Sequence, residues 1–163
     1  MNDMDLFQTS VLKRIGKKLI SKKQTLSVAE SVTSGLLQFA FSNVPDAAHF
    51  FQGGITAYNI GQKFKHLGVE PVHALSVDCV SQKVATEMAM HVCDLFSSDW
   101  GIGITGYATQ VPESDHKIFA YYAITYKMKL KKSGKIVPHT DDPPEVQRKY
   151  VNDVIRIFSQ LVK

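Results

Sequence analysis

The turn SVAESVTSG at residues 27–35 concentrates one glutamate and four hydroxyls where an apolar run gives way to the next element. One explanation is a serine or threonine helix cap, which typically contributes about 1 kcal/mol to stability. The other is that Ser31 is a nucleophile. The amides of Thr33, Ser34 and Gly35 would then stabilise an oxyanion, because the first turn of a helix leaves its amides unpaired. The turn by itself favours the cap.

A catalytic serine needs a base, and no histidine stands in a suitable pattern. The sequence has no G-x-S-x-G motif, and its six histidines are scattered. A lysine or a tyrosine can do the same work when desolvation lowers its pKa. Tyr58 at the end of a predicted strand and Lys63 in the next helix are the candidates, and Thr105 ends a third strand. Taken one at a time, each of these three side chains is more typical of ordinary packing or of solvent exposure than of catalysis.

Apolar periodicity indicates strands that alternate with helices, which favours an α/β domain with a mixed sheet. We expect Ser76 or Asp78 to cap one helix and Ser133-Gly134 to turn into an antiparallel return at 135–137. Ligands of such sheets lie where strands end, which here means the polar turns 30–35, 58–63 and 105–115. Predicted helices cover 4–22, 36–41, 59–67, 79–97 and the segment from Pro143, and predicted strands cover 25–29, 53–58, 100–105 and 118–128.

The composition is that of an ordinary globular protein, and its length suits a single domain over residues 1–163. No apolar run approaches the ~20 residues that span a bilayer, and no signal peptide is expected at the N-terminus. Cys79 and Cys93 fit neither a disulfide framework nor a zinc pattern, so we expect a reducing cytoplasm, no metal and no membrane partner.

Basic residues cluster at 13–23 and 127–135, within a mild net charge of +4. Such clusters can neutralise the phosphates of nucleic acid. However, the first cluster shares a predicted helix with regularly spaced apolar residues, and neither cluster contains stacking aromatics. We therefore interpret them as solvated surface and do not expect nucleic acid as a partner.

Several segments also match, in order, the patterns of one family. Ala29 to Gly35 resembles A-E-S-C-T-G-G, Val44 to Gly54 resembles V-P-G-S-S-x-x-F-x-G-G, and Tyr58 and Lys63 match Y-x-x-x-x-K. Leu67-Gly68-Val69 and Ile104-Thr105-Gly106 match L-G-V and I-T-G. On these residues the chain resembles the CinA C-terminal domain family (competence/damage-inducible protein, CinA-like), which includes the nicotinamide-nucleotide amidases.

The resemblance implies a three-layer α/β/α sandwich with a mixed, mostly parallel sheet, and self-association into homo-oligomers. It implies hydrolysis of the carboxamide of nicotinamide mononucleotide, or of a related small amide, without a cofactor. Ser31 would be the nucleophile, while Tyr58 and Lys63 would activate it and carry the proton to the leaving ammonia. The residues placed against the substrate would be Glu30, Thr33, Ser34, Gly35, Gly54, Thr105 and Gly106.

The chain departs from the family pattern at Val32 and Ser34, and Phe119 stands near a family glycine. After Thr105-Gly106 the family continues A-G-P-G-G-G, whereas residues 107–115 contain two acids and no glycine. Two hypotheses therefore stand. One is a serine amidohydrolase, favoured by Ser31, Tyr58, Lys63 and Thr105 together. The other is a non-catalytic relative that binds a small ligand or a protein, favoured by the altered loop.

Overall fold

The computed structural model describes residues 6–163, which form six α-helices and five β-strands. The predicted first helix begins later than expected, at Thr9, and residues 4 and 5 of that prediction lie outside the described residues. Two single turns of 3₁₀ helix cover Ala47–His49 and Pro112–Ser114. The helices are α1 (Thr9–Ser21), α2 (Leu36–Ser42), α3 (Ile60–Leu67), α4 (Pro71–Ser76), α5 (Gln82–Phe96) and α6 (Pro143–Leu161), and the strands are β1 (Leu26–Glu30), β2 (Phe51–Thr56), β3 (Trp100–Gly106), β4 (Ala120–Tyr126) and β5 (Lys129–Ile136).

The sheet has the order β2-β1-β3-β4-β5. Strands β2, β1 and β3 run parallel, and β4 and β5 pair antiparallel at one side, so the predicted mixed α/β sheet is confirmed. Glu30 is in register with Thr56 on one neighbour and Ile104 on the other. The carboxyl ends of the three parallel strands therefore meet at one edge of the sheet.

Helices cover both faces, which gives the three-layer sandwich. Helices α1, α2 and α6 pack on one face through a core that includes Leu19, Phe41, Tyr150 and Phe158. Helices α3, α4 and α5 pack on the other face through residues such as Leu67 and Met88. Within residues 6–163, no helix is both long enough and apolar enough to cross a membrane.

Two local predictions are wrong. Helix α5 starts at Gln82, not at 79, and its cap is Ser81, whose Oγ accepts from the Val84 amide at 3.1 Å. Ser76 and Asp78 do not cap α5. Ser76 is the last residue of helix α4, which Glu70 caps, and Asp78 lies between α4 and α5.

The hairpin turn is also misplaced in the prediction. It lies at Lys127 and Met128, both of which adopt left-handed φ angles of 48° and 63°. Ser133 and Gly134 lie inside β5, opposite β4. A Cβ at Gly134 would approach the Tyr122 hydroxyl to 2.9 Å, so this glycine makes room for a cross-strand ring and does not form a turn.

Candidate active site

A cavity of about 610 Å³ opens at the carboxyl edge of the parallel strands. Ser31 after β1, Lys63 of α3 and Thr105 of β3 all line it, so the structure brings these three predicted residues together. The backbone continues the sheet pairing beyond β1, because the Ser31 amide donates to the Ile104 carbonyl at 3.1 Å and the Ala57 amide donates to the Glu30 carbonyl at 2.9 Å. The rigid sheet thereby fixes the position of Ser31.

Ser31 and Lys63 form a buried pair. Lys63 Nζ donates to Ser31 Oγ at 2.9 Å and to the Ala57 carbonyl at 2.9 Å. Ser31 is 6% exposed and Lys63 is 1% exposed. The Ala57 contact orients the lysine towards the hydroxyl, which places an amine within proton-transfer distance of a serine.

Lys63 reaches this position because α3 begins one turn before it. Asn59 caps the helix by accepting from the Gln62 amide at 3.0 Å, and Gly68 ends it in a left-handed conformation. Burial lowers the pKa of Lys63, since an ammonium loses hydration there, while Cys79 and Asp78 oppose that change electrostatically. A lysine in this setting holds its proton less tightly than a solvated one.

The turn after Ser31 is held by Glu30, whose side chain is fully buried. Its carboxylate accepts from the Thr33 hydroxyl at 2.6 Å, from the Leu37 amide at 2.8 Å and from the Gln38 amide at 3.0 Å. A carboxylate at the start of a helix satisfies free amides and complements the helix dipole. The serine or threonine cap considered for this turn is wrong, because Gly35 is the N-cap of α2 and Glu30 satisfies the helix amides, while Ser31 lines the cavity.

The predicted oxyanion donors are arranged differently from the expectation. The Ser34 amide donates to the Ser31 carbonyl at 3.1 Å, which closes the turn. Ser34 adopts a left-handed φ of 49° and Gly35 a φ of 99°, and neither lines the cavity. In this structure the two residues shape the turn after Ser31.

Of the other residues predicted to contact substrate, Glu30, Thr33 and Gly54 do not line the cavity. A Cβ at Gly54 would lie 2.7 Å from the Val28 carbonyl oxygen, so this glycine permits close packing within the sheet. Thr105 and Gly106 do line the cavity. The Thr105 hydroxyl donates to the Cys79 carbonyl at 2.8 Å and so holds the segment before α5 against β3.

Tyr58 lies at the rim of the cavity, where its side chain is 72% exposed. Among the described residues it forms no hydrogen bond with Ser31 or Lys63. The structure thus brings Lys63, and not Tyr58, within hydrogen-bond distance of Ser31. Ala57, directly after β2, is buried, whereas the next residue, Tyr58, lies at the surface.

The sequence indicates the turn 105–115 as a place for ligands but identifies neither Asp78 nor Gln147 as part of the site. Tyr107 of that turn donates its hydroxyl to Asp78 at 3.0 Å, and Gln147 of α6 donates to the Val32 carbonyl at 2.8 Å, next to Ser31. Glu113 lines the same cavity. Asp78 is read from sequence as a helix cap, and Gln147 stands 116 positions after Ser31, so no local pattern links either residue to the site.

The fold and the site together define an α/β/α sandwich with a buried serine–lysine pair at the carboxyl edge of its parallel strands. The model of the CinA C-terminal domain matches residues 8–162, and the chain belongs to the CinA C-terminal domain family.

Two CinA-like proteins illustrate the sequence similarity. That of Picosynechococcus sp. is 43% identical over 101 residues, which are 62% of this chain and 24% of that protein. That of Prochlorococcus marinus is 46% identical over 92 residues, which are 55% of this chain and 22% of that protein. The chain spans about a quarter of the length of the curated relatives it matches.

Solved structures share the fold. The competence or damage-inducible protein from Enterobacter asburiae superposes with a TM-score of 0.90 at 24% identity, covering 96% of this chain and 99% of that one. A competence-damaged protein (CinA) superfamily protein from Escherichia coli gives a TM-score of 0.89 at 24% identity, covering 99% and 94%. At this identity the likeness concerns the fold.

Proposed function

We propose that this protein is a serine amidohydrolase that cleaves the carboxamide of nicotinamide mononucleotide or a related small amide and releases ammonia. Ser31 is the nucleophile and Lys63 the general base and acid. The observation that carries the proposal is the 2.9 Å contact between Lys63 Nζ and Ser31 Oγ inside a cavity large enough for a small ligand. Family membership agrees with it, since the family includes amidases.

In the first half-reaction the neutral Lys63 amine takes the Ser31 hydroxyl proton as Oγ attacks the amide carbon. A tetrahedral intermediate forms. Lys63 then donates that proton to the amide nitrogen as the C–N bond breaks, and ammonia leaves. The product is an ester between Ser31 and the acyl group, with Lys63 again neutral.

In the second half-reaction a water molecule attacks the ester carbon while Lys63 accepts the water proton. The C–O bond to Ser31 breaks, Oγ regains a proton from Lys63, and the carboxylic acid is released. No step requires a cofactor. Burial makes Lys63 suitable for both half-reactions, because a lowered pKa leaves more of the amine neutral and ready to accept a proton than in a solvated lysine.

A second candidate function is a binding module without catalysis. The observation that favours it is the loop after β3, where Tyr107 bonds to Asp78 across the cavity wall and residues 107–115 contain no glycine. In that case a small ligand would bind in the cavity and Ser31 would remain unmodified.

Ammonia release distinguishes these two functions. The protein is incubated with nicotinamide mononucleotide and a panel of small carboxamides, beside Ser31→Ala and, as a matched control, Ser34→Ala. The proposal expects ammonia from the wild type and Ser34→Ala, and none above background from Ser31→Ala. Release that persists in Ser31→Ala would refute the serine mechanism. Binding of an amide by the wild type without release would favour the binding module.

A further inference from the structure

The charge of the cavity is unusual for a site that accepts a phosphate. Its charged lining residues are Lys63, Asp78 and Glu113. Neither carboxylate forms an ion pair with a basic side chain anywhere in residues 6–163. The single basic side chain of the lining, Lys63, is buried and directed at Ser31 and Ala57. The exposed charged side chains of the lining are therefore both carboxylates.

The two carboxylates line the cavity together with Tyr107, whose hydroxyl donates to Asp78 at 3.0 Å. Burial raises the pKa of the Tyr107 phenol first of all, and the hydrogen bond to Asp78 and the charges of Asp78 and Glu113 raise it further. Both carboxylates therefore act electrostatically on the same phenol. Asp78 comes from the segment between α4 and α5, and Glu113 from the loop after β3.

Two tyrosines, Tyr58 and Tyr107, line the cavity together with these carboxylates. Tyr107 is held by Asp78 and by an edge-on contact with Phe119 at 5.4 Å between ring centroids. The face of a tyrosine attracts cations, and aromatic rings combined with carboxylates are a common means of binding ring or quaternary cations.

We propose that the cavity selects carboxamides that bear a permanent positive charge and no phosphate, with Asp78 and Glu113 as the specificity-determining residues. The inference rests on the proposed function and narrows its substrate from the mononucleotide to related amides without a phosphate. A phosphate group would meet two carboxylates, and the described residues that line the cavity offer it no free lysine or arginine and no glycine-rich loop. A pyridinium or quaternary ammonium group would meet complementary charge.

Two matched pairs of amides test the two halves of this proposal. The pair 1-methylnicotinamide and nicotinamide differs by the permanent positive charge, and the pair nicotinamide riboside and nicotinamide mononucleotide differs by the phosphate. We expect kcat/KM for ammonia release to be about tenfold higher for 1-methylnicotinamide than for nicotinamide. We also expect it to be about tenfold higher for the riboside than for the mononucleotide.

The double variant Asp78→Asn/Glu113→Gln removes both charges and keeps the acceptor for the Tyr107 hydroxyl. It should bring both ratios close to one. The control is Asp115→Asn, which removes an acid from the same loop, paired to Lys117 and outside the cavity. This control should leave both ratios unchanged.

The outcomes separate this inference from the proposed function. Ammonia release with nicotinamide mononucleotide equal to or better than the riboside, or ratios unchanged in the double variant, would overturn the inference and leave the amidohydrolase intact. If no amide is hydrolysed, the amidohydrolase fails, and the Kd values of the riboside and the mononucleotide for the same protein decide the selectivity. Tighter binding of the mononucleotide than of the riboside would then overturn the proposed selectivity.

Discussion

Replacing Lys63 by methionine tests the assignment of the base. Methionine keeps an unbranched side chain of similar length and removes the amine. General-base catalysis typically contributes 10²–10⁴-fold, and Lys63 is the one side chain in residues 6–163 that hydrogen-bonds to Ser31 Oγ. Because no other group can take over, we expect kcat/KM for ammonia release to fall at least about 1,000-fold, or about 4 kcal/mol in activation free energy.

The matched control is Lys65→Met, which removes an exposed lysine from the same helix and should keep wild-type activity. Thermal unfolding of both variants establishes that they are folded. In the proposed mechanism Ser31 and Lys63 act as one unit, so the double variant Ser31→Ala/Lys63→Met should be no less active than Ser31→Ala. A Lys63→Met protein that keeps more than about a tenth of the activity, or losses that add in the double variant, would refute Lys63 as the base.

Further consequences concern pH and stability. Because only neutral Lys63 can accept a proton, kcat/KM should rise with pH through a pKa that lies below that of an ordinary lysine, and a profile that falls over this range would contradict the assignment. Glu30→Ala should lower the free energy of unfolding by about 3 kcal/mol in urea titrations, because it leaves buried amides of α2 unpaired; an exposed control, Glu145→Ala, should change it by less than about 0.5 kcal/mol. Gly101→Ala should cost about 1–3 kcal/mol by the same measurement, because the new Cβ would lie 2.1 Å from the Ala89 carbonyl oxygen; an unchanged midpoint would show that α5 can move away from the sheet.

The convergence of polar strand ends could be predicted because parallel strands bring their carboxyl ends to one edge. That rule placed Ser31, Lys63 and Thr105 in the same cavity. This rule does not indicate which of the neighbouring residues face the cavity and which are buried beneath a helix. Glu30 and Ser31 are adjacent in the chain, but a strand alternates its side chains, so one is buried beneath the next helix and the other faces the cavity.

Long-range packing explains the remaining differences. Gln147 and Asp78 reach the cavity from elements whose placement depends on the whole sandwich, so no spacing in the sequence identifies them. The β4–β5 turn uses Lys127 and Met128 in conformations usually taken by glycine or asparagine, whereas Gly134 serves the packing of Tyr122. Residue propensity therefore indicated the wrong turn.

The measurement that tests the central claim most directly is the intact mass of the protein after treatment with a fluorophosphonate, followed by peptide mapping. An activated serine nucleophile predicts a single adduct on the peptide containing Ser31, absent in Ser31→Ala and strongly reduced in Lys63→Met. No adduct on Ser31, or labelling that is equal in wild type and Lys63→Met, would contradict a serine nucleophile activated by Lys63.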